Sequence, residues 1–175
     1  MRVELSGIWL VALNAMAWVA MHLGVAYLCT RIPAQQLDHR RWLFRTRSWE
    51  RGGRVYQTVL RIKTWKSLLP SGGPALGADF SLAHVESRDR VYLQRWVVES
   101  CRAEITHWLA MATVVIFLLW NPPVGVAANV VYAIAANAPC ILAQRYNRPR
   151  VVAILERYAD RGGTEAAAAT SRPNC

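Results

Sequence analysis

The sequence predicts an all-α integral membrane protein with about three transmembrane helices: an N-terminal span, a C-terminal helical hairpin, and an amphipathic helix in the loop that joins them. Three observations carry this. The apolar residues are gathered into long blocks, the 21 Lys and Arg lie almost entirely between and after those blocks, and Asn121-Pro122-Pro123 divides the last two. Composition alone, 54% hydrophobic over 175 residues, would also suit a soluble domain. The distribution decides.

The first block, about 8–29, reads IWLVALNAMAWVAMHLGVAYLC. About 20 apolar residues cross a hydrocarbon core roughly 30 Å thick. It is too long for a cleaved signal peptide, and its positive charges follow rather than precede it, so a retained span is expected. The second block, 105–120, is short for a crossing, and its helix is expected to begin earlier, near Val91, as an amphipathic segment. The third block is 124–143. Proline cannot continue the preceding helix, so Pro122-Pro123 makes a turn between the two. Residues 1–161 form a single membrane domain in this reading, and the alanine-rich, then polar, 162–175 are a disordered tail.

Charge sets an expected orientation. Of the Lys and Arg, 14 lie between Arg31 and Arg102 and six follow Ala143, whereas only Arg2 precedes the first span and the Pro-Pro turn has none. Three spans place both charged regions on one side of the bilayer. The positive-inside tendency makes that side cytoplasmic, with the N-terminus outside and loop 31–104 and the C-terminus inside a multi-pass cell-membrane protein. Within the loop, Val55, Val59, Ile62 and Leu69 recur at helical spacing over Gly53–Leu69, interleaved with Arg61, Lys63 and Lys66. That pattern suits a basic helix lying in the interface, ended by Pro70 and the Ser-Gly-Gly-Pro that follows; a soluble helix packed on a small cytoplasmic lobe stays open. The net charge of +10 therefore points to anionic membrane lipids as partners and not to specific nucleic acid. Cys29, Cys101, Cys140 and Cys175 are scattered, with neither a CxxC pair nor metal-ligand spacing, so no metal is expected.

Polar residues inside spans are expensive and mark function. At the start of the second span, Glu104 and His107 are i,i+3 neighbours, as are Glu99 and Arg102. A carboxylate beside an imidazole is the arrangement of a general base, so His107 and Glu104 are the catalytic candidates. An ordinary interfacial helix start, with acids near its positive dipole end, stays open. In the third span Asn137, Gln144 and Arg148 share a face. Arg145, Arg148 and Arg150, with Asn147 among them, stand where phosphates of lipid or coenzyme A would be met, although any cytoplasmic helix end attracts arginines. Asn137 and Gln144 suit either a ligand or interhelical bonding. Asn14, Trp18 and His22 follow one stripe of the first span, and His22 could face the hairpin, as a satisfied structural histidine or as part of a site. The substrate-binding candidates are thus Glu99, Arg102, Asn137, Gln144, Arg145, Asn147, Arg148 and His22. No nucleophile elbow, Walker loop, HExxH or dinucleotide fingerprint is present.

Three segments in this order, Ile62-Lys-Thr-Trp-Lys-Ser-Leu-Leu-Pro70, Glu99-Ser-Cys-Arg-Ala-Glu-Ile-Thr-His-Trp108 and Asn137-Ala-Pro-Cys-Ile-Leu-Ala-Gln-Arg-Tyr-Asn-Arg148, resemble the glycosyl-4,4'-diaponeurosporenoate acyltransferase family of staphyloxanthin biosynthesis. The similarity runs from the first span to about Leu155. The resemblance implies transfer of a fatty acyl group to a sugar hydroxyl of a glycosylated carotenoid acid or related glycolipid. An acyl donor, acyl-CoA as the expected co-substrate, and no resident cofactor complete that expectation. A non-catalytic lipid-binding or assembly subunit for a partner enzyme is the alternative, since the same basic surface and intramembrane amides would serve it without a base.

Overall fold

The computed structural model describes residues 7–69, 80–82 and 84–170. Among these there is no strand. Helix α1 is Gly7–Thr30, α2 Arg54–Leu60, α3 Ile62–Trp65, α4 Arg90–Ala112 and α5 Pro123–Thr170. Three helical segments are long and apolar enough to cross a membrane: Gly7–Thr30, Arg90–Leu119 and Pro123–Tyr158. Pro70 and the glycines after it lie outside the described residues.

The second span begins where expected, with Asp89 as N-cap accepting the Tyr92 N–H at 3.0 Å. Beyond Ala112 it tightens into a 3-10 helix over Thr113–Leu119. The run Thr113-Val114-Val115-Ile116 is β-branched, which crowds an α-helical turn, and the Thr113 hydroxyl bonds back to the Ala110 carbonyl at 2.7 Å. Asn121-Pro122-Pro123 makes the turn, and Pro123 opens α5, where a missing N–H costs nothing. Helix α5 continues to Thr170, past the point where composition suggested a tail. Alanine is the best helix former, and Ala166–Ala169 extend the helix on propensity.

Helices α4 and α5 pack along their length, and α1 leans on them by one stripe. Ile8, Trp9, Val11, Met16, Val19, Leu23 and Leu28 all point outward. So apolar an exposed face belongs in lipid. Since lipid tails give helices no hydrophobic reason to associate, polar rungs hold the bundle. At the hairpin turn Asn14 and Asn121 bond reciprocally, Nδ2 to Oδ1 in both directions at 2.8 and 3.0 Å, and Trp120 Nε1 donates to Asn14 Oδ1 at 2.8 Å. Two turns along α5, Trp18 Nε1 donates to Asn129 Oδ1 at 2.7 Å while its ring stacks on Phe117.

The loop closes over the opposite end of the hairpin. Leu37 and Phe44 pack on Cys101, and Tyr56 and Ile62 pack on Tyr146. The single amphipathic helix expected over Gly53–Leu69 is broken instead: Arg61 takes a left-handed conformation (φ 48°) between α2 and α3, and a 3-10 turn, Lys66–Leu68, follows. A continuous helix would keep Val59 and Ile62 on one face. The break turns Ile62 fully into the core and leaves Val59 71% exposed, with Gln57 Oε1 accepting the Lys63 N–H and Leu60 O accepting from Trp65 Nε1.

Pro149 removes the N–H that would have bonded the Arg145 carbonyl. Gly53 fits there, at φ 81°, so close that a Cβ would lie 3.0 Å from the Tyr146 carbonyl oxygen and 3.2 Å from that of Arg145. Gly53→Ala is therefore expected to cost about 1–3 kcal/mol through backbone strain and this contact. A fall in the thermal midpoint of the purified protein in detergent reads it out, whereas Gly52→Ala should show only the milder φ penalty, having open space around it.

Candidate active site

The densest polar cluster lies between the loop and the hairpin. Arg145 reaches three acceptors: Glu104 Oε1 from Nε at 2.8 Å, Glu50 Oε1 from Nη1 at 2.7 Å and the Leu43 carbonyl from Nη2 at 2.6 Å. Arg148 holds Ser100 Oγ at 2.9 Å, the Ser100 carbonyl at 3.0 Å and the Phe44 carbonyl at 3.1 Å, and its Nη2 lies 2.6 Å from Glu104 Oε2. Glu50 is 1% exposed and Glu104 0%. Two carboxylates against two guanidiniums, with carbonyls taking the remaining donors, make a cluster whose formal charges cancel. Tyr56 lies beside it, its phenol pushed up to about 12 by burial and then by Glu50.

This corrects two expectations. Glu104 does not orient His107. Its carboxylate is taken by two arginines of α5 and by Trp108 Nε1 at 3.4 Å. Nor do Arg145 and Arg148 stand free for a phosphate, because Arg148 is buried, Arg145 is partly so, and the nitrogens of both have protein acceptors. Spacing along α4 shows that Glu104 can meet His107, but not that a second helix offers stronger partners. Glu50, the missed member, was signalled only by being a lone acid in an arginine-rich stretch.

The pair Glu99–Arg102 forms as expected, with Nε 3.0 Å from Oε2. Arg102 also donates to the Cys29 and Ile32 carbonyls at 2.7 Å, closing the C-terminus of α1. Asn147 accepts from Lys66 Nζ at 2.9 Å. Burial, and then Arg150 and Lys63, hold Lys66 below its usual pKa. Gln144 Oε1 is buried without a donor.

One turn deeper than Glu104, His107 Nδ1 lies 3.0 Å from Asn137 Oδ1. Asn137 is fully buried, and its Nδ2 donates to the Ala133 carbonyl at 2.9 Å. That bond orients the amide. The oxygen faces His107, so Nδ1 must carry the proton and Nε2 is left with the lone pair. His22, on α1, is set in the same sense, with Nδ1 donating to the Trp18 carbonyl at 2.8 Å. His107 is half-buried. The structure thus joins His107 and Asn137 across two helices, while His22 bonds within α1 and lies against the Trp18 and Tyr132 rings. Glu104, Arg145 and Arg148 belong to the cluster below, and Glu99 and Arg102 to the loop side. No group of three or more metal-ligating side chains occurs among the described residues.

The family model described as glycosyl-4,4'-diaponeurosporenoate acyltransferase matches residues 40–157. The chain belongs to this family. Relatives bearing that name include the proteins of Staphylococcus aureus strain MRSA252, 30% identical, and strain bovine RF122 / ET3-1, 29% identical. Each alignment covers 85% of this chain and 89% of the relative. No solved structure matches. Family membership makes the chain an acyltransferase and sets aside the subunit alternative. The matched region contains the buried cluster, His107 and Asn137; His22 lies before it.

Removing one partner from a buried ion-pair cluster leaves an uncompensated charge at a cost of about 3–5 kcal/mol. Glu104→Gln is therefore expected to lower the yield and melting temperature of folded protein sharply, where a purely catalytic carboxylate would leave both unchanged.

Proposed function

We propose that this acyltransferase esterifies a sugar hydroxyl of a glycosylated carotenoid acid or related glycolipid, with acyl-CoA as donor, and that His107 is its general base. The oriented His107–Asn137 pair carries the reading. A sugar hydroxyl is a poor nucleophile until its proton is removed. Nε2 of His107 accepts that proton as the hydroxyl oxygen attacks the thioester carbonyl. The C–S bond then breaks, and the imidazolium returns the proton to the departing thiolate. Asn137 holds the ring in the required tautomer and stabilises the imidazolium by accepting from Nδ1. Gln144 Oε1, a buried acceptor without a protein donor, is available to a second sugar hydroxyl.

The substrate class follows from the names of the relatives and from a half-buried imidazole within a lipid-embedded bundle, where a carotenoid or acyl tail dissolves. Ester exchange calls for no cofactor. The charge distribution supports a cytoplasmic loop and C-terminus with the N-terminus outside, so that a soluble donor meets a membrane acceptor.

Two experiments test this. In membranes with matched protein levels, His107→Ala should lower kcat by at least about 100-fold with KM little changed, and Asn137→Leu by about 10- to 100-fold. Lipid mass spectrometry measures the ester, and acylation near wild type in His107→Ala removes the base from the mechanism. For orientation, Arg41→Cys in a background lacking the native cysteines should react with an impermeant thiol reagent only after the cytoplasmic face is opened; labelling of intact cells contradicts the topology.

A further inference from the structure

With Arg145 and Arg148 engaged internally, the phosphates of a donor need another partner. A cavity of about 360 Å³ lies where the loop meets α5 over residues 148–156. His39, Arg40, Arg45 and Thr46 line it from the loop, and Arg148 and Glu156 from α5. Arg148 is wall rather than ligand: all of its nitrogens have protein acceptors, and its guanidinium lies over the Phe44 ring. Arg40 and Arg45 differ. Both are exposed, and among the described residues neither guanidinium has an acceptor, whereas Arg47 of the same loop donates to the Trp42 carbonyl and covers the Trp42 ring.

The geometry points to this cavity as a phosphate-binding site, with Arg40 and Arg45 as its charged donors and Thr46 Oγ1 and the His39 ring as neutral ones. Two guanidiniums offer forked N–H pairs that match phosphate oxygens. Glu156 is the one carboxylate in the cavity lining; Asp38 lies outside the lining, 3.5 Å from His39 Nδ1 and accepting the Arg40 backbone N–H, and Arg148 is balanced within its own cluster by Glu104. Burial holds His39 below its usual pKa, with Asp38 and Glu156 opposing and Arg40 and Arg148 assisting, so the ring is a neutral donor at neutral pH.

Position argues for the acyl carrier. From Asn137 to Arg148 the axis of α5 advances about 16 Å at 1.5 Å per residue. A carrier whose phosphates are separated from its thioester by an extended arm has that shape. Only the identity of the carrier rests on the acyl-transfer reading; phosphate recognition stands on the cavity. An anionic lipid headgroup presents the same chemistry from the other source.

The test uses the full chain. In neutral detergent, calorimetric titration with coenzyme A should show binding that inorganic pyrophosphate displaces. Arg40→Gln/Arg45→Gln should weaken it at least tenfold, Arg45→Lys should weaken it less, and Arg88→Gln/Arg90→Gln, with the same charge loss elsewhere, should leave it unchanged. His107→Ala should bind as wild type while losing turnover, so failure of the base and failure of this site are told apart. If coenzyme A does not bind but nanodiscs of phosphatidylglycerol, and not phosphatidylcholine, yield a co-purifying lipid that Arg40→Gln/Arg45→Gln loses, the phosphate is a headgroup's. Should neither coenzyme A, pyrophosphate nor phosphatidylglycerol respond to Arg40→Gln or Arg45→Gln, singly or together, in variants that melt like wild type, the assignment is overturned.

Discussion

Four side chains, Glu50, Glu104, Arg145 and Arg148, carry the constraint on which the loop end of this molecule depends. They come from the loop, from α4 and from two positions of α5, and none can leave without stranding a charge where water does not reach. Hydrophobic contact between α4 and α5 would tolerate sliding. A carboxylate shared by two guanidiniums, themselves tied to the Leu43, Phe44 and Ser100 carbonyls, does not. The register of the hairpin and the docking of the loop are set together.

That register has a consequence one turn further in. With Glu104 held against Arg145, His107 lies opposite Asn137, and the amide gives the imidazole one tautomer and one orientation. The cluster acts on the reactive centre by position rather than by contact. It explains why a motif resembling a Glu–His dyad instead has the Glu serving architecture and an amide serving the His. The same logic continues toward the turn, where Asn129 receives Trp18 and Asn121 receives Asn14. Positions 121, 129, 137 and 145 recur every eight residues, a polar series running along an otherwise apolar span. Asn121 and Asn129 meet α1, Asn137 meets α4, and Arg145 meets both α4 and the loop, so the last span and the turn before it serve as the spine on which the others are registered.

Much of this was legible in the residues. Apolar blocks, their lengths and the Pro-Pro break predicted three spans, and the helix start near Val91 followed from the shortness of 105–120. The pair Glu99–Arg102 was readable because i,i+3 geometry within one helix is local. The break at Arg61 was not, because it is driven by burial of Ile62 beneath Tyr146, more than eighty residues away in sequence. Glu50 lay in a stretch where its partner was invisible for the same reason.

Sequence by itself determined which segments are helices in lipid, where charge gathers, and which ionisable and amide residues are brought near the bilayer, since hydropathy, proline and helical spacing act locally. Tertiary structure alone decided the pairing: Glu104 to arginines, His107 to Asn137, Arg102 to the end of α1, with Arg40 and Arg45 left free. Glu104 had both His107 and Trp108 within reach along its own helix. Which one prevails depends on what a neighbouring helix presents at the same depth, and buried charge takes the partner that neutralises it most completely.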